Sequence, residues 1–242
     1  MGQEQNQNLG EISVIIPTLD AAGIQSGALV ALGAVGEIVI VDACARDGGF
    51  AAGARDVGFA AGGRDVGFDV AGVRLVRCQR GRGVQLATGI AASSRPWLLL
   101  LHDDTRLSPG WRDEAARFMA ENPDKAGYFR LRFDSVSPRA RRVERLVAWR
   151  CRWLGLPYGD QGLLLRRTTL AAVGGMRAIP LMEDVDLARR LGRRLAPLMA
   201  DAITSPARYE RDGWTLRPLR NLICLALYFL GLPPRVLARL YE

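Results

Sequence analysis

Short, near-continuous apolar runs punctuate the first hundred residues. Ile12-Ser13-Val14-Ile15-Ile16 stops at Pro17, Glu37-Ile38-Val39-Ile40-Val41 ends at Asp42, Val73 to Val76 forms a third run, and Trp97 to Leu101 ends at His102-Asp103-Asp104. Runs that do not alternate with polar residues predict strands buried on both faces. The stretches between them suit helices, so the pattern predicts an α/β fold: a mostly parallel central sheet with helices on both faces. Further along, Pro109 to Glu121 and the arginine-rich Pro138 to Leu154 read as helices, and Gly162 to Leu165 as a strand. Glu183 to Arg194 reads as a helix with acids at its start and arginines toward its end, the arrangement the helix dipole favours. The tail from Leu216 to Tyr241 predicts two helices broken at Pro233-Pro234.

One segment departs from this order. Ala45 to Gly53, Ala54 to Gly62 and the stretch from Gly63 repeat a nine-residue unit in tandem, ARDGGFAAG, ARDVGFAAG and GRDVGFDVAG. A solenoid needs more copies that bury faces against one another. The repeat reads instead as a local duplication that lengthens a surface helix or loop.

A chain of 242 residues suits one domain with a short appendage, here 11–215 and 216–242. Charged residues at 24% and apolar residues at 49% exclude a disordered chain. The net charge is +8, and Lys125 is the only lysine. Guanidinium groups pair with phosphate oxygens, so the surface suits phosphate-rich partners. No aromatic-and-basic RNA motif or helix-turn-helix spacing points to nucleic acid. Cys44, Cys78, Cys151 and Cys224 lie far apart, which favours buried thiols over a zinc site or a disulfide framework. The polar start, MGQEQNQNLG, lacks the apolar core of a signal peptide. No apolar stretch reaches the roughly 20 residues that span a bilayer, and the expected location is cytoplasmic. The apolar tail could pack on the domain, lie at the inner membrane surface between arginines, or join two copies.

In a parallel sheet, ligands bind beyond the carboxyl ends of the strands, where Asp42 and His102-Asp103-Asp104 fall. Crowded carboxylates repel unless a cation or hydrogen-bond donors neutralise them, so the cluster reads as a Mn2+ or Mg2+ site or as a solvated turn. Glu183-Asp184 reads either as a helix start or as a general base at a cleft edge. Arg80-Gly81-Arg82-Gly83 could clamp a phosphate, and Gly159-Asp160-Gln161 sets polar groups just before a strand.

Taken together and in order, IIPTLD, EIVIVDACARDGG, QRGRGVQLATG, LLLLHDDTRLSPG, YGDQGLLLRR, GGMRAIPLMEDVDLARRL and SPARYERDGW resemble the inverting glycosyltransferases of family 2. The likeness is narrower to a bacterial subgroup, the transferase 2 proteins associated with radical-SAM or selenium-related domains, and runs from about Ile12 to Tyr241. It implies a GT-A fold, a nucleotide-diphosphate sugar as donor (a UDP-sugar first), an unidentified acceptor and a divalent metal. Pro17, Asp20 and Asp42 would hold base and ribose, with Arg80, Arg82 and Asp103 also on the nucleotide. Asp104, with His102, would bind the metal, and Asp184, in the Glu183-Asp184 pair, would be the catalytic base. Gly159, Asp160 and Gln161 would line the acceptor side, and Arg208 and Arg211 would neutralise the departing diphosphate. The chain departs from the family pattern at Asp20-Ala21 in place of Asn-Glu, at Ala43-Cys44-Ala45 in place of Gly-Gly-Ser, and at Ala87 in place of Asn. Two other readings are a sugar-phosphate nucleotidyltransferase, which would carry a glycine-rich, lysine-containing loop near Ile16 to Gly27, and a catalytically silent nucleotide- or anion-binding module.

Overall fold

The computed structural model describes residues 9–21, 24, 26–43, 72–241 and the backbone of 55–59. The strands are β1 (Ile12–Thr18), β2 (Glu37–Asp42), β3 (Arg55–Phe59), β4 (Val73–Arg77), β5 (Trp97–Leu100), β6 (Thr105–Leu107), β7 (Ala126–Phe133), β8 (Leu163–Arg166) and β9 (Leu195–Thr204). The helices are α1 (Ser26–Leu32), α2 (Arg82–Ala92), α3 (Trp111–Glu121), α4 (Pro138–Leu154), α5 (Arg167–Ala172), α6 (Glu183–Leu191), α7 (Ala207–Asp212), α8 (Leu216–Phe229) and α9 (Pro234–Tyr241).

These strands form one sheet in the order β3-β4-β2-β1-β5-β8-β7-β9-β6. From β4 through β2 and β1 to β5 every pairing is parallel, as the apolar runs predict. Beyond β5 the sheet turns mixed. β8 runs antiparallel to both β5 and β7, β9 lies parallel to β7, and β6 closes the edge antiparallel to β9. The tandem repeat is described only at Arg55–Phe59, which forms β3, an edge strand antiparallel to β4, in place of the helix or loop its composition suggests. The rest of the repeat lies outside the described residues.

Alternation along each central strand feeds two cores. Val14, Ile16, Ile38, Ile40 and Leu99 pack toward Trp111, Phe118 and Met119 of α3. Ile15, Val39, Val41, Leu98 and Leu100 pack toward Leu86 of α2 and Leu187 and Leu191 of α6. Helices therefore cover both faces. Helix α4 starts where Pro138 follows Ser137, whose hydroxyl accepts the Arg139 N–H at 3.2 Å, and it stops at Gly155 in a left-handed turn. Helices α8 and α9 follow the sheet. Leu225 and Tyr228 of α8 pack with Leu156, Val185 and Ala188, so α8 lies against α6. Cys78, Cys151 and Cys224 are buried free thiols.

The reversal at β8 positions the site. Pairing Leu100 with Leu163 puts the start of β8, not its end, beside the end of β5. Pairing Thr105 with Thr204 likewise sets the end of β9 beside the residues that follow β5. One edge of the sheet thus collects the carboxyl ends of β1, β2, β5 and β9 and the segment that precedes β8.

Candidate active site

At that edge lies a cleft of about 250 Å³. Its walls include Arg82, His102, Asp104, Tyr158, Gly159, Asp160, Glu183, Asp184, Thr204, Arg208 and Arg217. The described chain thus brings together the end of β5, the start of α2, the turn before β8, the start of α6, the end of β9, and α7 and α8.

The acids after β5 are organised by His102. Its Nδ1 lies 3.1 Å from Asp103 Oδ1 and 3.0 Å from Asp104 Oδ1. Burial and the nearby Arg82 work to lower the imidazole's pKa, but the hydrogen bonds and charge of the two aspartates raise it overall. For Asp104, burial works to raise the pKa, and the hydrogen bond and charge of His102, helped by Arg208 and Thr204, bring it well below the usual carboxylate range. Asp103 is lowered in the same way. Thr204 Oγ1 donates to Asp104 Oδ1 at 3.2 Å, whereas Thr18 Oγ1 donates to Asp103 Oδ2 at 2.9 Å. Asp104 therefore faces the cleft, and Asp103 turns toward the end of β1. Ligand atoms of His102, Asp103 and Asp104 all lie within 4.8 Å of one another, a spacing that one cation can bridge.

Opposite stands the start of α6. The Asp184 carboxylate accepts the Gly159 N–H on one oxygen at 2.9 Å and the Val185 N–H on the other at 2.7 Å, which fixes its plane. Glu183 is buried and pairs with Arg82, Nε to Oε1 at 3.2 Å. Burial, then the charge of Asp184, pushes the Glu183 carboxyl up to about 7 against the opposing pull of Arg82. Asp160 is also raised, first by burial, and its Oδ1 is buried without a hydrogen-bond partner. The preceding residue, Met182, holds φ at 66°, a left-handed backbone that a residue with a side chain adopts at a cost.

Glycines make this packing feasible. A Cβ on Gly83 would come within 2.6 Å of the carbonyl oxygens of Arg177 and Ile179, so the bare α-carbon lets α2 meet the loop that leads to α6. A Cβ on Gly159 would overlap the guanidinium of Arg82. The glycines around Arg82 thus serve a close approach within the chain. Gln85, one turn further, donates from Nε2 to the carbonyls of Thr18 at 2.7 Å and Val41 at 2.9 Å, which ties the ends of β1 and β2 together.

Not every residue singled out in the sequence reaches the cleft. Pro17, Asp20 and Asp42 sit at the ends of β1 and β2 on the side to which Asp103 turns, and Arg80 is exposed beside them, outside the cleft lining. The Gln161 side chain points inward: its Nε2 donates to the Phe129 carbonyl at 3.0 Å, and its Oε1 accepts the Tyr158 N–H at 3.2 Å. Arg211 is 75% exposed and pairs with Asp212 at 2.7 Å, whereas Arg208 Nε stands 4.0 Å from Asp104. Arg217, Tyr158, Thr204 and Asn221 line the cleft without having been singled out. Arg217 sits on the first turn of α8, which folds back over α6, and only that packing brings it to the site. Tyr158 is held under Arg150, whose guanidinium carbon lies 3.4 Å from the ring centre.

No family model matches the sequence, and no curated protein matches it. Solved structures do match the fold. S. aureus TarS 1-349 in complex with UDP superposes with a TM-score of 0.53 at 14% identity, over 93% of this chain and 68% of that one. Mannosyltransferase PcManGT from Pyrobaculum calidifontis, in complex with GDP-Man and Mn2+, gives 0.52 at 16% identity, over 80% and 56%. GalNAc-T7 with UDP, GalNAc and Mn2+ gives 0.53 at 10% identity, over 80% and 43%. The chain thus spans about half the length of the last two proteins. At these identities the likeness shows the fold: a mixed α/β sheet flanked by helices, as in GT-A glycosyltransferases.

Proposed function

We propose that the chain is an inverting glycosyltransferase that moves a sugar from a nucleoside-diphosphate donor, a UDP-sugar in the first instance, to an acceptor hydroxyl. The observation that carries this reading is the meeting, in one cleft, of His102 and Asp104 with Glu183 and Asp184, which lie some eighty residues apart in the sequence. The GT-A neighbours supply the context, since TarS and GalNAc-T7 are complexed with UDP, and PcManGT with GDP-Man and Mn2+.

The cluster after β5 fits a divalent cation. Carboxylate oxygens are the donors that Mg2+ and Mn2+ take, and an imidazole beside them suits Mn2+ better than Mg2+. Asp104 and His102 are the residues that would hold it, His102 as the neutral ring. When bound, the ion supplies positive charge to the phosphate oxygens of the leaving group. Asp103, tied to Thr18, faces the side where Pro17, Asp20 and Asp42 would receive base and ribose. Arg208, 4.0 Å from Asp104, adds positive charge at the cleft, where negative charge grows on the departing diphosphate, while Arg217 lines the same wall paired with Asp212.

Asp184 is the base in this reading. Its carboxylate is held by two backbone N–H groups and faces the cleft with lone pairs to spare. It takes the proton of the acceptor hydroxyl as that oxygen bonds to the anomeric carbon. The bond from that carbon to the diphosphate oxygen breaks on the opposite face, its electron pair leaves with the nucleoside diphosphate, and one displacement inverts the centre. Arg82 and Glu183 pair at 3.2 Å beside Asp184 and help keep its turn in place.

Calorimetry of nucleoside diphosphates with and without Mn2+ tests the donor site. Wild type should bind UDP in a Mn2+-dependent way, and Asp104→Ala should weaken that binding more than about tenfold. Asp184→Asn should bind the donor normally while turnover drops by roughly 10²–10⁴. Equal Mn2+-dependent binding in Asp104→Ala overturns the metal assignment, and unchanged turnover in Asp184→Asn overturns the base.

A further inference from the structure

Helix α8 has two unlike faces. Arg217 and Asn221 turn to the cleft, Leu225 and Tyr228 pack toward α6, and Cys224 is buried. At 100° per residue, Leu216, Leu219, Leu222, Ile223, Phe229 and Leu230 fan over an arc of roughly 140° on the other side, with Phe229 at its margin under the Arg189 guanidinium of α6, 4.9 Å from the ring centre. Each of these six side chains is between 49% and 79% exposed. Helix α9 continues the pattern, with Leu237 buried and Val236 and Leu240 exposed. The charges here are all of one sign. Arg217, Arg220, Arg235 and Arg239 fall between Gly213 and Tyr241, and no acid does. Arg220 reaches Asp212, just ahead of the helix, whereas Arg235 and Arg239 are exposed one turn apart on α9.

We infer that this face of α8 and α9 docks on an anionic membrane surface. An apolar face flanked by arginines matches the boundary between acyl chains and negative headgroups: the apolar side chains enter the boundary and the guanidinium groups remain at the phosphates. At 14 residues, α8 is about 21 Å long, too short to cross a hydrocarbon layer of roughly 30 Å. Among the described residues no helix is long and apolar enough to cross a membrane, so the contact is one of lying in the interface. The neighbouring surface agrees. The last turn of α4 carries exposed Trp153 and Leu154 and ends two residues before Leu156, which shares a buried cluster with Leu225 of α8. Tryptophan at such a margin is suited to the headgroup level. The docking is independent of the reaction in the cleft.

Co-sedimentation of the full chain with vesicles of phosphatidylcholine alone or mixed with phosphatidylglycerol tests the inference. The chain should pellet with the mixed vesicles and remain in solution with phosphatidylcholine alone. A triple variant, Leu219→Ser with Leu222→Ser and Ile223→Ser, keeps every charge, and because the replaced side chains are exposed it should keep its circular dichroism. Its vesicle affinity should fall by roughly a hundredfold or more. Arg235→Gln with Arg239→Gln should lower the affinity by about tenfold or more. Failure of the wild type to pellet with anionic vesicles overturns the inference. So does undiminished binding in the folded triple variant, which would reduce the attraction to overall charge. A wild-type dimer in sedimentation equilibrium that the triple variant abolishes assigns the face to a second copy and overturns it equally.

Discussion

Replacing Glu183 with glutamine tests the electrostatics of the site through stability alone. Its carboxyl is buried, and burial with the Asp184 charge raises it from an ordinary 4.5 to about 7, even with Arg82 at 3.2 Å. A carboxyl with a raised pKa holds its proton longer in the folded chain than in the unfolded one. Wild type therefore loses stability as pH rises from about 4.5 to about 7, and the loss is complete above that window. A shift of this size, at about 1.4 kcal/mol per unit, corresponds to about 3 kcal/mol. Glutamine has the shape of the neutral acid and never ionises, so Glu183→Gln should match wild type near pH 4 and exceed it by about 3 kcal/mol at pH 8. Urea denaturation of both proteins at half-unit steps from pH 4 to 8.5 reads the difference directly. A difference that stays flat with pH refutes the raised carboxyl. A variant that becomes less stable than wild type as pH rises would mean that Arg82 stabilises the carboxylate more than burial penalises it.

Gly159→Ala should fold, because the guanidinium of Arg82 is the flexible end of a side chain and can swing aside, but doing so separates Arg82 from Glu183. Turnover should fall by more than about tenfold at a near-normal melting temperature, measured by steady-state assay beside thermal denaturation. An unchanged kcat would mean that the Arg82 position has no bearing on Asp184. Gln85→Leu removes a donor shared by the carbonyls of Thr18 and Val41, the first of which still accepts the Ala43 N–H, and should cost about 1–3 kcal/mol in urea denaturation.

The parallel half of the sheet is readable from the chain because β1, β2 and β5 are covered on both faces, which forces apolar residues at nearly every position, and β4 keeps Val73, Leu75 and Val76 between its arginines. β7 and β9 escape the same reading. In β7, Arg130 and Arg132 break the apolar run because they face outward to Asp201, and in β9 Pro197, Met199 and Asp201 do the same. β6, at three residues, is too short to leave a pattern. The site divides along similar lines. His102-Asp103-Asp104 and Glu183-Asp184 stand at element ends, where a strand run stops or a helix run begins, so sequence alone exposes them. Arg217 reaches the cleft only because α8 folds back on α6. Gln161 carries a polar side chain in a polar stretch and still turns inward to the Phe129 carbonyl. Which way a side chain faces within a turn is decided by tertiary packing, and no local pattern records it.

The cleft sorts its carboxylates into two kinds. Asp103 and Asp104 share one imidazole and accept threonine hydroxyls, so their charged forms are favoured despite burial. Asp160 and Glu183 sit deeper, where burial outweighs Arg150 and Arg82 and favours their neutral forms. Environments that push like groups apart are how a site divides labour among acids. Of the ionised pair, Asp104 stands 4.0 Å from Arg208, where in the proposed reaction a cation and a diphosphate would meet. Glu183, raised to about 7, stands next to Asp184 and carries only part of a negative charge near neutral pH. Asp184 itself is fixed by backbone N–H groups of Gly159 and Val185, which carry no charge that titrates. A carboxylate held this way keeps its orientation whatever the protonation of Glu183. The pH dependence of turnover should therefore follow a different curve from the stability difference between wild type and Glu183→Gln. If the two curves coincide, Glu183 and not Asp184 is the group that governs the reaction.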